Sequence, residues 1–310
     1  MEVSPSMIAV GVDSSAEALA AARFGTQAAE LRGLNLLLAH AVCPPATAES
    51  SAWLIERLRS QLRIPPTMEV NTVLDHHSPA ALLKEVEVSA AMLVVGRRRV
   101  DRPEHSILGS LAAQLVASAS RPLAVVPAGW TAMAWTTRPV LVAVDPTVDV
   151  ADLLRFAFAE ASRLEAPLLA VYAVPASSRK DPAVSLRAVE EALAASGRQE
   201  YPALSVAIEL LVGEPDGVVV AASRRAVELV VGGPRDPHRR RGWTDSVART
   251  AVRWANCPVV VVPYAGSAGE IRDGAADQAV PKQTNGLGCD TWPATRHSAS
   301  AESRPSARAR

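Results

Sequence analysis

The chain has 310 residues, enough for about two domains, and 49% of them are hydrophobic, ample for buried cores. Its 32 basic and 32 acidic side chains cancel, which argues against a polyanion binder working through whole-chain charge. Three cysteines, Cys43, Cys257 and Cys289, stand far apart without CxxC spacing, which argues against a disulfide framework or a zinc cluster.

Residues 1–6 show no basic segment leading into a long apolar stretch, so no signal peptide is expected. No window of about 18 uncharged apolar residues occurs, so no membrane span is expected either, and a cytoplasmic location is the default. The first element is a strand near residues 7–12, an apolar run that ends at Asp13. A helix over 15–32 follows, with Leu19, Ala22 and Ala29 at helical spacing. Then come a strand at 35–41, a helix at 48–62, a strand at 68–74, a helix at 79–89, a strand at 92–95, a helix at 106–119 and a strand at 122–126.

The order then begins again. Strands at 139–144, 168–174, 205–211, 228–231 and 258–262 alternate with helices at 148–164, 182–196, 215–226 and 243–255. The strands are continuous apolar runs, as in parallel sheets covered on both faces. Residues 265–310 are rich in Gly, Ala, Ser and charge with no apolar period, which reads as a disordered tail.

The recurrence is also visible residue by residue. Residues 96–127 align without a gap on residues 232–263, with Gly96 on Gly232, Ser110 on Ser246, Pro122 on Pro258 and Pro127 on Pro263. MIAVGVD at 7–13 matches PVLVAVD at 139–145. The chain is a tandem duplication. The expected division is a first domain over 1–130, a linker over 131–138, a second domain over 139–264 and the tail over 265–310.

In open parallel sheets, ligands bind beyond the carboxyl ends of the strands, where the strand order reverses. The residues there are Asp13 and Asp145 after each first strand, and Gly96 and Gly232 after each fourth. Gly109 and Ser110 open the next helix, where free N–H groups, a hydroxyl and the positive dipole end suit a phosphate. A plain turn and a plain helix cap would use the same residue types. The loops at 97–102 and 235–241 are rich in arginine, which suits anion recruitment at a cleft or an ordinary solvated loop. His76 and His77 lack an evident third partner for a metal, His40 reads as structural, and Cys43 and Cys257, flanking apolar strands, read as ordinary small residues. No catalytic acid–base pair, P-loop or nucleophile elbow is present.

VVGRRRVDRPEHSILGSLAAQLVASASRPLAVVP, together with MIAVGVDSSAEALAAARFGTQAAELRGLNLLLAHAV, resembles the universal stress protein family, over about residues 7–127 and 139–263. The resemblance implies two tandem, doubly wound α/β domains of the adenine nucleotide alpha hydrolase-like type, each with a five-stranded parallel sheet. It also implies that members divide into ATP binders and non-binders. Binders carry G-x2-G-x9-G-(S/T) and an Asp after the first strand.

In the first half Gly96, Gly109, Ser110 and Asp13 match that pattern, and Arg99 replaces the second glycine. In the second half Gly232, Ser246 and Asp145 match, whereas Arg235 and Asp245 replace two glycines. Arg99 either reaches phosphate oxygens or fills the groove. Asp245 sets a carboxylate against a phosphate, a repulsion of about 1 to 4 kcal/mol at 4 Å. By analogy of position, Val42 would meet the adenine edge.

The expectation is a stress-response regulatory protein with ATP, carried with Mg2+, in the first half only. The alternatives are an interaction scaffold for an unknown protein partner and a weak ATP hydrolase. Neither nucleic acid nor membrane is expected as a partner, since aromatic interleaving for base stacking is missing. The resemblance further implies that the apolar fifth-strand edges pair across a two-fold axis, here between the two halves of one chain, with a homodimer as a further option.

Overall fold

The structure is a computed structural model. It describes residues 6–44, 46–97, 110–131, 137–178, 181–233 and 243–264, with 110 and 243–246 as backbone. Most of the 131–138 linker and the whole 265–310 tail lie outside the described residues.

In chain order the first half contains β1 (Met7–Gly11), α1 (Ala16–Glu30), β2 (Asn35–Ala41), α2 (Ala48–Arg59), β3 (Val70–Asp75), α3 (Pro79–Val86), β4 (Ala90–Arg97), α4 (Ser110–Ser118) and β5 (Leu123–Pro127). The second contains β6 (Val140–Ala143), α5 (Ala151–Arg163), β7 (Leu168–Val174), α6 (Pro182–Leu193), β8 (Val206–Val212), α7 (Pro215–Ala222), β9 (Glu228–Gly232), α8 (Trp243–Trp254) and β10 (Val259–Val262).

Local chemistry sets many of these boundaries. Ser15 caps α1 by accepting from the Ala18 N–H, and Thr47 and Ser50 form a reciprocal capping box on α2. Ser78 and Asp181 cap α3 and α6, each followed by a proline whose missing N–H costs a helix nothing in its first turn. The second strand-to-helix corner turns through Gly213 at φ 143°, a conformation that favours glycine.

The strands form one ten-stranded sheet in the order β3-β2-β1-β4-β5-β10-β9-β6-β7-β8. Each half reverses direction around its first strand, as a doubly wound sheet does. Every pairing is parallel except β5 with β10, where Val259, Val260 and Val261 face Val125, Ala124 and Leu123. The expected pairing of the two fifth strands is present within the chain.

Helices α1, α2, α5 and α6 cover one face, around Ile8, Leu36, Phe158 and Leu168. Helices α3, α4, α7 and α8 cover the other, around Leu82, Leu93, Leu115 and Val259. Among the described residues, no helix is long and apolar enough to cross a membrane.

Polar groups also cross between the halves. Arg32, just beyond α1, pairs with Glu160 on α5, and Arg163 reaches the same carboxylate at 2.7 Å. Arg97 donates to the main-chain carbonyl of Ala255; within the first half, Phe24 meets Trp130 edge-on at 5.3 Å. Glu228, at the start of β9, is buried, and its Oε1 finds no hydrogen-bond partner among the described residues. Burial pushes its carboxyl up to about 8, and the Glu160 carboxylate pushes the same way against Arg32 and Arg163.

The folded chain therefore holds a proton on Glu228 that the unfolded chain releases near the ordinary value of 4.5. The associated stability is fully present below that value and is lost as pH rises through the folded-state value. Replacing Glu228 with Gln keeps the neutral shape at every pH. Thermal unfolding should show Glu228→Gln and the parent chain close together near pH 5 and the variant increasingly ahead up to about pH 9. Arg32→Ala, which removes one cation from the buried Glu160, should cost about 3 kcal/mol in chemical denaturation.

Candidate functional site

β1 and β4 are neighbours in the sheet, with Gly11 beside Val95, so Asp13 and Gly96 come to the same strand ends. Asp13 folds into a tight turn: its Oδ1 accepts from the Ser15 main-chain N–H at 2.8 Å and from the Ser15 hydroxyl. Among the described residues its Oδ2 has no partner. The second half repeats this turn, with Asp145 Oδ1 accepting from the Thr147 N–H at 3.0 Å and the Thr147 hydroxyl at 2.6 Å.

Val42 stands directly after β2. It is buried, and its N–H donates to the Asp75 carbonyl at 2.7 Å. Any contact it makes with a ligand would come from its backbone carbonyl. His40 is structural, as expected: it is buried with Nδ1 2.8 Å from the Val12 carbonyl, and so braces the strand leading into Asp13. Ser110 is the first residue of α4. Arg99, Gly109 and most of both arginine-rich loops lie outside the described residues, and Asp245 is described as backbone only, in the first turn of α8. Arg97, the first arginine of its loop, is held by the Ala255 carbonyl across the seam, which ties it to structure instead of to a cleft.

The two strand-end glycines have different physical reasons. A Cβ on Gly96 would sit 2.6 Å from the main-chain carbonyl of Glu17, in the first turn of α1. Glycine is needed there so that the helix can rest directly on β4 and hold the Asp13 turn beside it. Gly96 itself stays half-buried. At Gly232 the neighbour is the Tyr264 ring, whose hydroxyl oxygen would lie 2.2 Å from an added Cβ. Gly232 is buried beneath that ring. In the repeat alignment the counterpart of Tyr264 is Ala128, which carries no ring. Sequence reasoning missed Tyr264; the only available signal was this Ala–Tyr difference just after the matched prolines.

Cys257 is a small buried residue of the core, whereas Cys43 is only half-buried. Burial pushes the Cys257 thiol up to about 12, with the nearby Glu228 acting the same way, so it stays a thiol. Cys289 lies outside the described residues. The histidine pair after β3 has more company than its sequence suggests, because Asp75 and Glu85 both approach His77.

These packing reasons can be separated by mutation. Gly96→Ala must displace helix backbone and should cost about 1–3 kcal/mol, with no side-chain truncation able to rescue it. Gly232→Ala should cost less once Tyr264→Ala is added, so the double mutant should be non-additive in denaturant titrations.

The family model for the universal stress protein family matches residues 7–127 and 136–263. A universal stress protein of Mycolicibacterium smegmatis is 28% identical over 288 residues, spanning 82% of this chain and 96% of that protein. Among solved structures, a universal stress protein from Archaeoglobus fulgidus superposes with a TM-score of 0.62 at 14% identity, covering 83% of this chain and 98% of its own, a likeness of fold. Another protein of that organism, solved in complex with dAMP, is 30% identical over 40% of this chain and 97% of its own, with a TM-score of 0.31. With both halves matched in succession and the sheet doubly wound in each, the chain belongs to the universal stress protein family.

Proposed function

We propose that the chain is a cytoplasmic stress-response regulator that binds an adenine nucleotide, ATP with Mg2+, in its first half alone. One observation carries this reading: the two equivalent strand ends are unequal. Beside Gly96 the strand end is half-open, with Gly96 itself only half-buried. Beside Gly232 the strand end is buried beneath Tyr264.

In this reading Asp13 accepts from a nucleoside hydroxyl. Gly109 and Ser110 present N–H groups and a hydroxyl to the phosphates at the start of α4, where the helix dipole favours negative charge. Arg99 adds a guanidinium that pairs with phosphate oxygens. Asp245 adds charge repulsion to the closed second half. The domain division at 1–130 and 139–264 fits two sites of unequal fate on one sheet. Binding state, rather than turnover, is the output in this reading.

Calorimetric titration of ATP with Mg2+ into the full chain should give one site. Gly109→Asp, which copies Asp245 into the first half, should weaken it by about ten- to a thousandfold. Asp13→Ala should weaken it as well, while Asp145→Ala should leave it unchanged. Absence of binding would turn the reading to the interaction scaffold, with both clefts shut.

A further inference from the structure

The corner between β3 and α3 gathers three metal-ligating side chains. Asp75 is the last residue of β3, and its Oδ1 accepts from the His77 main-chain N–H at 3.0 Å. The His77 ring lies against the same oxygen, with Nδ1 at 2.9 Å. Glu85, near the end of α3, leans toward the helix start, as helical side chains do. One ligand atom from each of the three residues lies within 4.8 Å of the others.

The charge at this corner is unbalanced. Among the described residues no lysine or arginine pairs with Asp75 or Glu85. The adjacent Lys84 is engaged elsewhere, with Glu87 at 2.5 Å and the Ser118 carbonyl at 2.6 Å. Two carboxylates thus face one imidazole.

The fold shared by the two halves does not depend on ligand-type residues at these positions. At the corresponding positions the second half has Leu211, Gly213 and Ala221, and it builds the same strand, corner and helix. That corner turns through Gly213 at φ 143°, whereas His77 does not have a positive φ, so the first half makes the corner another way. Of the three, Asp75 also closes this corner through the His77 N–H, while the His77 ring and Glu85 have no ligand-type counterpart in the second half.

We propose that Asp75, His77 and Glu85 form a divalent transition-metal site on the first half. One imidazole nitrogen and two carboxylate oxygens suit Zn2+, with water in the remaining position. Mg2+ and Ca2+ prefer oxygen alone and gain nothing from the imidazole. In a tetrahedral site with bonds near 2.0 Å the ligand atoms stand about 3.3 Å apart. The side chains of His77 and Asp75 are 62% and 36% exposed, free to close that gap by rotamer changes and open to water. The Asp75 carbonyl holds the Val42 N–H, so the site is one hydrogen bond from the end of β2.

Zn2+ alone, without nucleotide, is titrated into the full chain against a chromophoric chelator. His77→Ala and Glu85→Gln should each weaken one Zn2+ per chain by at least about tenfold, since even partners that only orient a ligand are worth that much. His76→Ala should not. In the unsubstituted chain, Co2+ should broaden the amide signals of residues 75–78 and 85 first. Unchanged affinity in both variants, loss with His76→Ala in place of His77→Ala, or Co2+ broadening confined to other histidines would each overturn the assignment.

Discussion

The seam where β5 meets β10 antiparallel is the constraint on which the rest of the architecture hangs. A doubly wound sheet leaves its last strand with one row of unpaired N–H and C=O groups, and here both last strands are wholly apolar. Leu123 to Val126 and Val259 to Val262 are all nearly inaccessible to water. Each such side chain is worth about 1.5–3 kcal/mol when buried, so neither half could leave its edge bare. Joining the edges removes both liabilities at once. It also fixes where the second sheet must start, and hence which helices lie side by side.

Everything that bridges the halves clusters around that seam. Arg97 on the Ala255 carbonyl and Arg32 on Glu160 both reach from one half to the other, the second of them on the face that α1 and α5 cover. The last of these has a cost. Bringing Glu160 and Glu228 together in a dry place means that only one is readily ionised, and the arginines settle on Glu160. A proton on Glu228 resolves the conflict at neutral pH.

The repeat and the strand ends were legible in the sequence because they rest on apolar runs and on prolines at matched offsets. Asp13 and Gly96 were legible as neighbours because a parallel sheet brings the ends of its first and fourth strands together. Why Gly96 must be glycine was not legible: the reason is the carbonyl of Glu17, 79 positions earlier in the chain. Tyr264 was hidden for the same kind of reason. Its ring matters through Gly232, and nothing in the residues near either one announces the other. The company around His77 was missed because a helix residue ten positions from Asp75 reaches back, a contact that periodicity does not encode. Val42 was placed correctly at the end of the second strand, but strand position alone does not say that its side chain faces inward.

A paired assembly of identical chains writes every substitution into both of its sites. A fused chain writes it once. Here Ala128 and Tyr264 stand at equivalent points, as do His77 and Gly213, and each member of a pair has taken a different course. The covalent link between the repeats is therefore more than a way to hide two strand edges. It frees one half to specialise while its twin is kept as a brace, and a symmetric pair of separate chains has no such freedom.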